Sequence, residues 1–189
     1  MGYFDDRREE LEPYTVLSVI GEHGELLLST LPMAGNRNLS AVENFLFHSR
    51  NISQDVFISK PRLGIVTGRP TIYLSRRMNK ADGNFDGYTV VGLDPGYFSR
   101  FYDEINLGPG SILGLVGRDG VVRASQSADS SLGDVIGNDL NTAHLRGARL
   151  RPSGQGNFLV ASPGDGETRH YAWRTMKTYP LVVLVGTSE

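Results

Sequence analysis

The chain of 189 residues contains no cysteine, which excludes disulfide staples, thiolate metal sites and cysteine nucleophiles together. Long apolar runs are also missing. The longest, Leu181–Val185, falls far short of the roughly 20 residues a bilayer-spanning helix needs, and no secretory apolar segment follows Met1. A complete protein of this sequence is expected to be soluble without a leader, whereas an excised domain would carry its address elsewhere. There is no excess of positive charge. A net charge of -2 and a pI near 6.1 give no concentrated field for a polyanion, so no nucleic-acid partner is expected. Walker loops, dinucleotide-binding glycine motifs and the G-x-S-x-G elbow are absent as well. The four histidines, His23, His48, His144 and His170, have no metal-ligand spacing. Asp82–Gly87 matches only the first half of a calcium loop, because Leu93 stands where a bidentate glutamate is required. No metal and no cofactor are expected, and Asp82–Gly87 reads as a turn.

What the sequence does have is punctuated β-structure. Val56–Lys60, Thr71–Met78 and Tyr88–Leu93 are rich in β-branched and aromatic residues, and Gly, Pro, Asn or Asp bounds each of them. Upstream, Thr15–Ile20 and Glu25–Ser29 read as strands joined by the tight turn Gly21-Glu22-His23-Gly24. Ser40 precedes Glu43 by three residues, as in a capping box, and Val42, Phe45, Leu46 and Ser49 fall on one helical face. A helix over Ser40–Ser49 is therefore expected to lie on the sheet. Phe4–Glu12 reads as the end of an amino-terminal helix stopped by Pro13. Asp94-Pro95 offers an N-cap and an N1 proline to a second helix carrying Phe98, Phe101, Tyr102 and Ile105.

The pattern then recurs. Val16–Leu26 can be laid on Ile112–Val122 without a gap, at an offset of 96 (112 − 16). Asn157–Ser162, Thr168–Met176 and Leu181–Val185 supply three later strands. Two strands, a mixed interval and three strands thus occur twice, as in a tandem repeat. The fold class is α+β, with two antiparallel, roughly five-stranded PAS-like modules and flanking helices. The divisions expected are 1–14 for the end of the helix, 15–108 for the first module and 109–189 for a smaller second one.

Phe57–Pro61, Gly68-Arg69-Pro70, Tyr73–Arg77, the turn Asp82–Gly87, and Val91–Asp94 with Tyr97-Phe98 together resemble double Cache sensor domains of the PAS-like PDC fold. More narrowly, they look like those found outside the membrane in bacterial diguanylate cyclases and related receptors. The resemblance implies a periplasmic domain of an inner-membrane receptor, with a cyclase or kinase output. It would meet the membrane only through flanking helices, bind a small ligand such as an organic acid or amino acid, do no catalysis itself, and could form a homodimer.

On the central strand, Thr71, Tyr73, Ser75 and Arg77 share one face, which the resemblance turns toward the ligand cavity. Tyr73 and Ser75 bring the mixture of apolar ring and hydroxyl that fixes ligands in apolar pockets. Equally, Tyr73 could be a core ring with a locally satisfied hydroxyl. Phe45 and His48 come from the helix above, and Ser59 and Asp94 flank the sheet. Arg62 and Arg69 border a glycine-containing excursion from which a guanidinium could clamp a carboxylate. Many relatives carry an aspartate-arginine pair where this chain has Ala41 and Val42, and an aromatic residue where it has Asn44. That departure points away from the usual amino-acid or dicarboxylate grip, toward a more apolar ligand or none. Trp173 stands close to the second-module counterpart of Ser75 (173 − 98 = 75), where it would fill the cavity and leave that module mainly structural. A protein-interaction module and a small enzyme built on Asp94, His48 and Ser59 are the other classes compatible with the sequence.

Overall fold

The computed structural model describes residues 14–32, 38–64, 68–98, 108–127, 135–140, 154–161 and 166–188. The helix expected at Phe4–Glu12, the continuation through Phe101, Tyr102 and Ile105, and most of Ser130–Gly147 lie outside these residues. The chain divides into two compact units, Met1–Asp94 and Pro95–Glu189.

Among the described residues the first unit has one antiparallel sheet and one helix. Its elements are β1 (Tyr14–Gly21), β2 (Leu26–Ser29), α1 (Glu43–Arg50), β3 (Phe57–Ile58), β4 (Arg62–Leu63), β5 (Pro70–Asn79) and β6 (Phe85–Leu93). The strand order is β2-β1-β6-β5-β3, with β4 paired to β5 off this path. The second unit has β7 (Ile112–Gly117), β8 (Val122–Ser127), β9 (Gln155–Ala161), β10 (Thr168–Thr175) and β11 (Leu181–Ser188), in the order β8-β7-β11-β10-β9. With β4 set aside, the two orders are the same.

The likeness reaches individual hydrogen bonds. Gly21 N–H donates to Glu25 O at 2.9 Å and Gly24 N–H to Gly21 O at 3.1 Å; 96 residues on, Gly117 donates to Val121 O and Gly120 to Gly117 O, both at 2.9 Å. Gly24 and Gly120 both take positive φ, 84° and 90°, which an L side chain resists. A bulge falls between Val19 and Ile20 in β1 and between Leu115 and Val116 in β7. The repeat read from the sequence is thus present as geometry, strand by strand and kink by kink.

One expected detail is corrected. The helix runs over Glu43–Arg50 rather than from Ser40, and its N-cap is Val42, with no side-chain cap hydrogen bond. No Ser40–Glu43 capping box forms: Ser40 N–H bonds the Asn38 side chain, while Leu39 N–H bonds Gly24 O and so ties the segment to the first hairpin. The inward face is also turned from the expected one. Asn44, Phe45 and His48 are buried, whereas Leu46 and Ser49 are exposed. Burial of an amide and an imidazole in place of Leu46 is tolerated because both find hydrogen-bond partners on β5.

Two glycines of equal φ separate strain from crowding. Gly24 and Gly83 both sit at φ 84°, but a methyl group at Gly24 would lie 2.5 Å from the Ser40 nitrogen, while nothing lies within 4 Å of one at Gly83. Gly83→Ala is expected to cost about 1–2 kcal/mol of backbone strain, and Gly24→Ala about 1–3 kcal/mol more from overpacking. Urea unfolding of the two variants checks this, and equal losses would rule out the crowding argument.

Candidate ligand-binding site

The helix α1 lies on β5 and β6. Its apolar anchor is Phe45, whose ring meets Phe85 and Tyr88 edge to face at 5.5 and 6.4 Å, with Ile20, Val90, Val42 and Tyr73 in the same cluster. Phe47 stacks on Phe57 at 4.3 Å. Beside these rings is a polar joint. Asn44 Nδ2 donates to Ser75 Oγ at 2.8 Å, and His48 Nε2 lies 2.9 Å from the same oxygen. Asn44 and His48 are one helical turn apart, so a single hydroxyl on β5 engages both. Their exposures are 1% and 0%, and that of Ser75 is 2%; solvent has no part in the joint.

Arg62 Nη2 donates to Asn44 Oδ1 at 3.4 Å, and the Arg62 guanidinium lies 4.5 Å over the Tyr73 ring. Arg77 closes the other end of the helix: Nη1 donates to the His48 carbonyl, Nε to Asn79 Oδ1 at 2.6 Å, and its guanidinium lies 4.8 Å over Phe85. A cation there also complements the carbonyl end of the helix. Two buried nitrogen atoms of the cluster, His48 Nδ1 and Arg62 Nε, have no hydrogen-bond partner among the described residues. Burial holds the His48 imidazole down, to about 4; the Arg77 charge adds to this, and the Ser75 backbone works in the opposite direction. Burial pushes the Tyr88 phenol up to about 12, with the Arg62 charge opposing.

Of the residues singled out in the sequence, the fold brings together Phe45, His48, Arg62, Tyr73 and Ser75. Ser59 is fully buried next to them, but its hydroxyl is engaged by the backbone: it accepts from Tyr73 N–H at 3.0 Å and donates to Lys60 O at 2.8 Å. Arg69 is exposed in the turn before β5, and Asp94 lies half-buried just past β6. Asn44 and Arg77 were not singled out as site residues. Asn44 is four residues before His48, and Arg77 shares the alternating face of Tyr73 and Ser75; those spacings were the available signals. Among the described residues no group of acidic, histidine or cysteine side chains is arranged to hold a metal. The turn expected over Asp82–Gly87 is shorter: Asn84 bonds Asp82 within it, and Phe85–Gly87 already belong to β6.

The second unit preserves the frame and changes the contents. Tyr73 pairs with Gly92, which pairs with Val16; Tyr171 pairs with Gly186, which pairs with Ile112. Ser75–Val90–Ser18 then corresponds to Trp173–Leu184–Gly114, so an indole occupies the register position of the Ser75 hydroxyl. It lies over Gly156, where an added methyl would come within 2.9 Å of the ring nitrogen.

The sequence and fold comparisons both find sensor domains of membrane receptors similar to this chain. The protein is similar to dCache_1-like histidine kinase sensor domains: residues 95–186 match the family model described as "Histidine kinase sensor domain". Across nearly the whole chain it resembles the extracellular domain of rpHK1S-Z16, described as a histidine kinase, at 29% identity and a TM-score of 0.83, covering 96% of this chain and 73% of that one. The sensor domain of the Vibrio cholerae histidine kinase DctB (16% identity, TM-score 0.58, 99% and 76% covered) has the same fold. So does the ligand-binding domain of the Pseudomonas aeruginosa amino acid chemoreceptor PctB, solved with L-Gln (11%, 0.67, 94% and 69%). No curated protein matches. These relatives are sensor domains rather than enzymes, and they belong to histidine kinases and chemoreceptors; the narrower likeness to diguanylate cyclases finds no support among them. The placement outside the cytoplasm expected from the sequence agrees with the extracellular domains matched. Among the described residues no helix is long and apolar enough to cross a membrane.

The neutral, buried His48 sets a pH dependence. Its folded value lies below the ordinary 6.5, so the unfolded chain takes up a proton that the folded one refuses. Stability from this group is complete above about pH 6.5 and declines as the pH falls toward 4, by on the order of 3 kcal/mol at most. His48→Gln is expected to flatten that part of the stability profile, measured by urea unfolding from pH 7.5 to 4; an unchanged slope would show that His48 is not the group responsible.

Proposed function

We propose that the chain is the extracytoplasmic ligand-sensing part of a bacterial transmembrane receptor with a histidine kinase output, and that a small molecule binds in the first unit between α1 and the β5–β6 face. The observation that carries this reading is the buried polar joint around Ser75 with its two unpartnered nitrogens, set among aromatic rings, which is the makeup of a small-ligand site. The replacement of that joint by Trp173 in the second unit supports a division of labour, with binding in residues 15–108 and a mainly structural role for 109–189. On binding, the ligand shifts α1 relative to the sheet, and it can bias the output only by its differential affinity for the two positions of the helix, typically about 1–3 kcal/mol.

A ligand present at a hundred times its Kd adds about 2.7 kcal/mol of stability. A metabolite panel screened by thermal shift is therefore expected to contain compounds that raise Tm by several degrees, an effect absent in Ser75→Trp, which copies the second unit, and reduced in Ser75→Ala. A panel in which nothing stabilises the wild-type chain would overturn the reading.

A further inference from the structure

The ladder between β7 and β11 ends at the pair Ile112–Gly186, whereas the ladder between β10 and β11 runs on to Arg169–Ser188. Carried two residues further, the first register would set Gly110 opposite Ser188. Beyond the end of the β7 ladder, three side chains hold the incoming chain by consecutive carbonyls: Ser188 Oγ donates to Pro109 O at 3.4 Å, Arg169 Nε to Gly110 O at 2.8 Å, and Ser127 Oγ to Ser111 O at 3.4 Å. They come from β11, β10 and β8. The bond from Arg169 is the short one and has a charged donor, so it is the strongest of the three.

Arg169 is 1% exposed, a depth at which arginine is rarely found unless paired. Its carboxylate partner, Glu167, lies 3.5 Å from Nη2 and has a side chain that is itself 64% exposed, so the ion pair is long and open to water on one side. Gly110 sits at φ 70°, and a methyl group added to it would strike Ser188 Oγ. The first unit differs at each point. The residue 96 before Gly110 is Tyr14, which pairs with Leu93 inside the ladder. Two residues before Tyr73, where the second unit has Arg169 before Tyr171, stands Thr71, whose hydroxyl donates to the Arg69 carbonyl just upstream.

We propose that Arg169 is a clasp between the chain entering the second unit and the end of its last strand, closed by side chains alone and able to open while the sheet stays intact. Ladder bonds are lost only with the strand pairing that makes them, but the Gly110 carbonyl can exchange a guanidinium for water through one side-chain movement. Gly110 is half-buried, so water is within reach. The role of the clasp rests on the sensor reading above, and it gives the second unit a part in passing motion on as well as in support. With the clasp closed, a displacement of the entering chain reaches Ser188; with it open, the displacement is taken up before β7.

The test is hydrogen exchange of the purified, ligand-free chain, read residue by residue by NMR. In Arg169→Met, of similar length but without donors, exchange is expected to speed by about ten-fold or more at residues 110–112 and 186–188, and to stay unchanged at 115–117 and 181–184. Arg169→Gln places an amide nitrogen where Nε stood and can donate to the same carbonyl. It should therefore restore most of the protection at both ends, which a merely space-filling role for Arg169 would not predict. Gly110→Ala opens the same end from the other side with Arg169 in place; it should repeat the local pattern, and it decides the question if Arg169→Met does not fold. Unchanged exchange at the two ends, an equal rise along the whole of β10 and β11, or no recovery in Arg169→Gln would overturn the clasp, and would leave the sensor reading to its own metabolite panel.

Discussion

One hydroxyl, that of Ser75, is the point at which the helix of the first unit is registered on its sheet. Apolar burial brings Phe45 onto β6 without fixing rotation, because hydrophobic attraction has little directionality. The hydrogen bonds of Asn44 and His48 to a single oxygen supply what is missing. They select which residues of α1 turn inward, set Leu46 outward, and bring Arg62 and Arg77 to the two ends of the same short element. Removing the Ser75 oxygen would leave an amide and an imidazole buried together, and the cost of such orphaned groups generally exceeds the net value of the bonds they made.

The two units show the same frame carrying different contents. Bulge, hairpin hydrogen bonds and Tyr–Gly cross-strand pair recur in both, and these features belong to the backbone and its glycines. At the register position where the first unit has a serine, the second has a tryptophan. An indole there packs against Gly156, Tyr171 and Leu184, so stability comes from contact area, whereas in the first unit part of that volume is given to polar groups whose satisfaction depends on one another. The second arrangement places its stability in packing, and the first in polar groups that depend on one another.

The strands were legible in the sequence because a period of two and glycine-marked turns are local signals. β5 and β6 appear within a few residues of their expected spans, and the offset of 96 carries over to the hairpins without adjustment. The helix was legible only as an element. Its orientation depends on Ser75, 31 residues from Asn44 and 27 from His48, and a local pattern that counts Leu46 as inward cannot register a hydroxyl that far along the chain. The capping box failed for a related reason: Ser40 and its neighbours are held by Asn38 and Gly24 instead. Arg62 and Tyr73 were marked as site residues for their chemistry, but the contact between them, a guanidinium over a ring, emerges only when β4 folds back along β5.

The way α1 is held has a mechanical side. Eight residues make a rod about 12 Å long. Its C-terminal end is fastened by Arg77, through the His48 carbonyl, to the strand that carries Ser75, while its N-terminal end begins at Val42 with no side-chain cap. The start of the rod is held differently, from within, by the Asn44 amide on the Ser75 hydroxyl. The chain leaving that end runs through Leu39, whose N–H bonds the Gly24 carbonyl. A displacement of the helix would therefore be felt first at the first hairpin, in a turn where a single added methyl would strike the Ser40 backbone.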